Sequence, residues 1–115
     1  ASQLKLGNLT ACVDYNKYTV SGRIDQTMGL EPFAAKWESF GWEVIAELKD
    51  GHDENAILGA FERAKASPEG EKPKMIILHT KKGRGISFME ENPFKWHAGH
   101  LDDTLYAQCM KELEV

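Results

Sequence analysis

The run Leu9-Thr10-Ala11-Cys12-Val13-Asp14-Tyr15 is apolar and β-branched, the composition of a strand buried on both faces, as parallel sheets require. Residues 16–22 beyond it read as a turn or loop. Further out, Glu31 and Pro32 open a helical pattern in which Phe33, Trp37 and Phe40 fall on one face, and Gly41 stands where a left-handed cap ends a helix. Residues 42–48 form a second strand, less buried than the first, with Trp42, Val44 and Ala46 on one face and Ile45 between two glutamates on the other. Asp53 is placed to N-cap a helix whose Ala56, Ile57, Ala60, Phe61 and Ala64 make an apolar stripe, ending before a polar connector at residues 67–73. Met75-Ile76-Ile77-Leu78 is a third strand, short and wholly apolar. Residues 81–100 are a long stretch rich in glycine and polar residues, and a last helix begins near Asp102 with Leu105, Cys109 and Leu113 inward.

This order of elements predicts an α/β fold, about three parallel strands with flanking helices and right-handed crossovers. Three helices leave much of such a sheet uncovered, so another segment or chain is expected against it. At 115 residues the chain is one small domain, and 42% hydrophobic with 28% charged residues is ordinary for a soluble globular protein. No apolar run is long enough to cross a bilayer, and the first residues lack a secretory pattern, so cytoplasm is the expected compartment. Cys12 and Cys109 are too far apart to suggest a zinc site or a disulfide framework, and both read as buried thiols. A net charge of −4 argues against nucleic-acid binding, which needs a basic field. One basic cluster, Lys72 with Lys74 and then Lys81, Lys82 and Arg84, brackets the third strand and could attract a small anion.

Three segments carry chemistry. In open α/β sheets ligands bind beyond the carboxyl ends of strands, which is where Asn16 stands. An asparagine amide oxygen and a nearby backbone carbonyl are hard, neutral donors suited to Mg²⁺ or Ca²⁺, although Asn16 could equally make a turn. Thr80-Lys81-Lys82-Gly83-Arg84-Gly85 follows the third strand; its glycines permit close approach to an anion and its lysines could neutralise phosphate, the alternative being a solvated loop. Residues 86–100 contain Phe88, Phe94 and Trp96, which predicts an ordered lid or binding loop. Histidine changes charge near neutral pH, so His97 could bind phosphate or shuttle a proton, or simply lie at the surface beside a packed tryptophan.

In chain order, Asp14-Tyr15-Asn16-Lys17, Phe40-Gly41-Trp42-Glu43-Val44, Asp50-Gly51-His52-Asp53, Lys82-Gly83-Arg84-Gly85-Ile86-Ser87-Phe88-Met89-Glu90 and Trp96-His97 each resemble their counterparts in transketolases, above all the short N-terminal subunits of two-gene transketolases. The resemblance implies that residues 1–115 are the C-terminal part of a diphosphate-binding domain that takes thiamine diphosphate and Mg²⁺. Transketolases hold the metal with a Gly-Asp-Gly aspartate, a later asparagine and a main-chain carbonyl two residues beyond. The last two match Asn16 and Tyr18. Val20 is implied in the apolar wall beside the cofactor, Lys82 in the loop facing the diphosphate, and His97 as a diphosphate contact close to the substrate and the catalytic residue of this chain.

The resemblance has departures. A lysine at Lys82 is as similar to deoxyxylulose-phosphate synthases as to long transketolases, and the Trp96-His97-Ala98-Gly99-His100 spacing leaves two candidate histidines, of which His97 directly follows Trp96. No Gly-Asp-Gly occurs in the sequence. The implied partners are therefore a complementary Gly-Asp-Gly segment or chain and a pyrimidine-binding domain or subunit, in a homo- or hetero-oligomer acting on sugar phosphates, with no nucleic acid or membrane partner. The implied reaction moves a two-carbon ketol unit from a ketose phosphate to an aldose. Neighbouring readings are another thiamine diphosphate enzyme, such as a deoxyxylulose-phosphate synthase or a sulfosugar transketolase, and a non-catalytic interaction module.

Overall fold

The computed structural model describes residues 1–67 and 70–113. Part of the polar connector and the last two residues of the sequence lie outside the described residues. The chain divides into two compact units, Ala1–Asn16 with Leu30–Thr80, and Lys17–Gly29 with the chain from Lys81 onward.

The first unit is built on three parallel strands, β1 (Thr10–Asp14), β4 (Glu43–Leu48) and β5 (Lys74–Leu78), in the order β1-β5-β4. The expected α/β architecture with a three-stranded parallel sheet is what forms. β5 takes the centre, where both edges and both faces are covered, and this is why its sequence is apolar without alternation. Met75, Ile76 and Ile77 are fully enclosed. Helix α2 (Phe33–Ser39) and helix α3 (Glu54–Ala66) both pack on β4. Ala60 and Ala64 of α3 meet Ala46 and Ile76 in the core, with Ile45, Leu48 and Leu78 around them.

That arrangement reverses the expected burial of the strands. β1 is an edge strand, Cys12 and Asp14 on one of its faces are exposed, and β4 beneath the helices is the more buried of the two. Cys12 is thus an exposed thiol, not a buried one; Cys109 is buried as expected. The alternation read for residues 42–48 also fails. Val44 pairs with Met75 and Ala46 with Ile76, so Ile45 is the extra residue of a bulge and Val44 and Ala46 face opposite sides of the sheet. Ile45 consequently joins Ala46 against the core. In α3, Phe61 departs from the expected stripe and is 45% exposed.

The helix boundaries follow local chemistry. Asp53 caps α3 by accepting the Ala56 N–H at 3.1 Å. Gly41, at φ 80°, ends α2 in the left-handed conformation that glycine adopts without strain. Pro32 stands just outside α2, and Glu31 accepts the Phe33 N–H at 3.0 Å.

In the second unit, β2 (Tyr18–Thr19) and β3 (Gly22–Arg23) form a short antiparallel hairpin leading into α1 (Ile24–Thr27). The same unit contains α4 (Ser87–Glu91) and α5 (Asp103–Leu113). Asp102 caps α5 through the Leu105 N–H at 2.8 Å. Leu105 is half-buried and Cys109 buried, but Leu113 at the last turn is 55% exposed, against expectation, although its side chain comes near Gly85. No helix among the described residues is long and apolar enough to cross a membrane.

Candidate cofactor and metal site

The carboxyl ends of β1 and β5 are tied together in the first unit. Tyr15 N–H donates to the Leu78 carbonyl at 2.8 Å, and Thr80 Oγ1 donates to Asp14 Oδ1. The turn after β4 closes over the end of β5: Gly51 N–H donates to the His79 carbonyl at 2.8 Å, and a Cβ on Gly51 would stand 2.9 Å from that oxygen. Only glycine fits there, which gives the Asp50-Gly51-His52-Asp53 stretch a structural reason. Beside it, His79 Nε2 lies 2.6 Å from Glu47 Oε1, and Lys49 Nζ lies 3.0 Å from the same oxygen. The hydrogen bond from Lys49, followed by that from His79, holds the Glu47 carboxyl below the usual carboxylate range. Asn16, half-buried, ends this unit directly after the enclosed Tyr15.

The second unit opens with Lys17 at φ 72°, a conformation that costs a non-glycine residue about 1 kcal/mol and persists only where neighbours enforce it. One such neighbour is Ile24, whose N–H donates to the Lys17 carbonyl at 2.9 Å. That bond also fixes the phase of the hairpin. Antiparallel pairs alternate between bonded and non-bonded, so with Lys17 and Ile24 bonded, the Tyr18–Arg23 pair is a non-bonded one. The Tyr18 carbonyl therefore points away from β3. Val20 occupies the hairpin tip and is 66% exposed.

The glycine-rich loop is folded by two carboxylates. Glu90 accepts the Gly85 N–H at 2.8 Å and Lys81 Nζ, while Glu112 accepts the Ser87 N–H at 2.6 Å and its hydroxyl at 2.9 Å. Gly83 and Gly85 have φ of 77° and 94°, and a Cβ on Gly83 would lie 2.6 Å from the Met89 Cβ. Lys81 is thus committed to Glu90, and Lys74 is buried in β5 with its ammonium 3.3 Å from the Ser67 carbonyl. The basic cluster of the sequence is dispersed in this way, and Lys82, half-buried, is a loop lysine with no ion pair among the described residues.

His97 closes a single 3₁₀ turn, Lys95–His97, in which its N–H donates to the Phe94 carbonyl at 3.2 Å. The adjoining Trp96 packs on Phe88 at 5.0 Å between ring centroids, with Lys95 Nζ 5.0 Å from the Trp96 ring centre. A Cβ on Gly99 would stand 2.6 Å from the Trp96 ring, so glycine is required where the chain crosses the indole. Within residues 86–100, Phe88 and Trp96 pack on each other between a short helix and a turn, while Phe94 is exposed. His97 and His100 are both exposed. The structure gathers Tyr18, Val20, Lys82 and His97 into one unit and places Asn16 at the end of the other.

The sequence matches the family described as "Transketolase, thiamine diphosphate binding domain" over residues 1–113. The chain belongs to the transketolase family. It is 34% identical over 112 residues to one subunit of the apulose-4-phosphate transketolase of Phocaeicola vulgatus, covering 97% of this chain and 38% of that one. It is 39% identical over 110 residues to a 6-deoxy-6-sulfo-D-fructose transketolase subunit of a Clostridium species, covering 96% and 38%. Human transketolase is 33% identical over 113 residues, 98% of this chain and 17% of its own. The chain therefore spans well under half the length of these curated relatives. A crystal structure of a transketolase variant from Pichia stipitis superposes with a TM-score of 0.59 at 31% identity, covering 69% of this chain and 11% of the other.

In donor chemistry, an amide oxygen such as that of Asn16 and a main-chain carbonyl such as that of Tyr18 are each hard and neutral, of the type magnesium takes. Among the described residues, no group of three or more His, Cys, Asp or Glu could hold a metal by itself. The hydrogen bonds that Glu31, Glu47, Glu90 and Glu112 accept were not read from the sequence. Glu90 bonds the Gly85 N–H only five residues back, whereas Glu112 and Glu47 act across 25 and 32 residues, beyond any local pattern.

Proposed function

We propose that this chain is the C-terminal part of the diphosphate-binding domain of a thiamine diphosphate- and Mg²⁺-dependent transketolase, which moves a two-carbon ketol unit from a ketose phosphate to an aldose. When bound, the cofactor supplies the nucleophilic carbon that such a transfer needs. Asn16 gives its side-chain oxygen and Tyr18 its carbonyl to the metal. Lys82 sets a positive charge against the diphosphate, Val20 adds apolar surface beside the cofactor, and His97 holds a hydrogen bond to the diphosphate near the substrate. The observation that carries this reading is the hairpin phase, which turns the Tyr18 carbonyl away from β3 two residues after Asn16.

The sequence contains no Gly-Asp-Gly, so the anionic metal ligand comes from a complementary segment or chain, and a pyrimidine-binding domain or subunit completes the site. Two relatives are subunits of transketolases named for apulose 4-phosphate and 6-deoxy-6-sulfo-D-fructose, which supports a hetero-oligomer acting on ketoses that carry a phosphate or sulfonate. Profiling the assembled enzyme with these two donors and with ordinary ketose phosphates tests the substrate class. Transfer from an anionic ketose to an aldose is expected; turnover of none of them contradicts the reaction. In the same enzyme, Lys82→Ala is expected to weaken thiamine diphosphate binding roughly tenfold, the scale of one charge-assisted contact. Unchanged affinity would remove Lys82 from the site.

A further inference from the structure

Tyr15 directly precedes Asn16 and is 4% exposed. Its backbone is tied to the Leu78 carbonyl. Its ring centroid lies 4.9 Å from that of Phe33 and 5.2 Å from that of His79, the latter pair steeply inclined at 60°. Its hydroxyl donates to Glu31 Oε1 at 3.0 Å.

Each of these neighbours is itself held. Glu31 Oε2 accepts the Phe33 N–H at the start of α2, His79 N–H donates to the Leu48 carbonyl at 3.0 Å, and His79 Nε2 meets Glu47. Burial of one aromatic ring would be served by phenylalanine. The hydroxyl adds a directed bond to a carboxylate that also caps a helix, so residue 15 is fixed in rotation as well as in place. Because Asn16 shares a peptide plane with Tyr15, that clamp fixes where the Asn16 nitrogen and Cα stand, the points from which its side chain departs.

We infer that Tyr15 is the positioning residue for Asn16, and that Phe33, His79 and Glu31 act through it to aim the Asn16 amide oxygen at the cation. The inference rests on the reading of Asn16 as a metal ligand. Groups that orient metal ligands in this indirect way are commonly worth about 10- to 100-fold in metal affinity.

The test is a Mg²⁺ titration of thiamine diphosphate binding in the assembled enzyme, read by calorimetry at fixed cofactor, for wild type, Tyr15→Phe, Tyr15→Leu and Asn16→Ala. Thermal unfolding without metal is recorded alongside. Tyr15→Phe keeps the ring and loses only the bond to Glu31; it is expected to raise the Mg²⁺ midpoint about tenfold with little change in metal-free melting, and Tyr15→Leu to raise it further. If Tyr15→Leu does not fold, Tyr15→Phe carries the test alone. Tyr15 variants that melt earlier yet titrate like wild type, beside an Asn16→Ala that no longer binds, overturn the positioning role and leave the metal assignment standing. An Asn16→Ala protein with a wild-type titration overturns the metal assignment, and the inference with it.

Discussion

Ile76 has no exposed surface and packs against Ala46, Ala60 and Ala64, small residues that cannot reach into a vacated space. Ile76→Ala is expected to destabilise the protein by roughly 2–5 kcal/mol, measured as a lower midpoint in chemical denaturation. A second residue-level outcome concerns acid. Glu47 titrates lower in the folded protein than in the unfolded one, through its bonds to Lys49 and then His79. The stability it contributes is present above the ordinary carboxylate value and is lost as pH falls through the depressed one. Stability measured against pH should therefore fall less steeply below about pH 5 in Glu47→Gln than in wild type. An identical slope would remove Glu47 from the acid response. At this scale the sequence was informative where chemistry is local: Asp53 and Gly41 do at their helix ends what their types suggest. It was silent on the Glu47–His79 pair, which forms only when β4 and β5 lie side by side, and wrong on Cys12, because burial on a strand depends on which strand takes the centre of the sheet.

Among elements, the loop from Lys81 to Glu91 owes its shape to carboxylates held below the usual range, Glu90 chiefly by Lys81 and Glu112 chiefly by the Ser87 N–H. Hydrogen exchange should show the Gly85 amide losing protection in Glu90→Ala and the Ser87 amide losing it in Glu112→Ala, while α3 amides keep theirs. Gly99→Ala would force a Cβ into the Trp96 ring, and a shifted tryptophan emission is the expected sign that the His97 turn has moved. Strand and helix order was readable because each element carries its own periodicity or apolar run. The bulge at Ile45 was not, since it appears only in the pairing with β5. Nor was the hairpin of Tyr18–Thr19 with Gly22–Arg23, whose strands are two residues long and too short to show alternation.

For the molecule as a whole, several large apolar side chains remain at the surface, on or beside helices. Phe40 is 77% exposed, and Leu58, Tyr106 and Met110 are also exposed. Single apolar residues at a surface are ordinary, but this many large ones on so small a chain favour association. The 115-residue chain expressed alone is expected to self-associate with rising concentration in light scattering, and a monomer at all concentrations would contradict that. Family, fold and the order of the site segments could be read from the sequence. The central claim, that Asn16 holds the metal that anchors the cofactor, is tested most directly by calorimetry of thiamine diphosphate binding to the assembled enzyme with and without Mg²⁺. Binding that requires Mg²⁺ and is weakened roughly a hundredfold or more by Asn16→Ala is the predicted result; equal affinity of the variant and the wild type would contradict it.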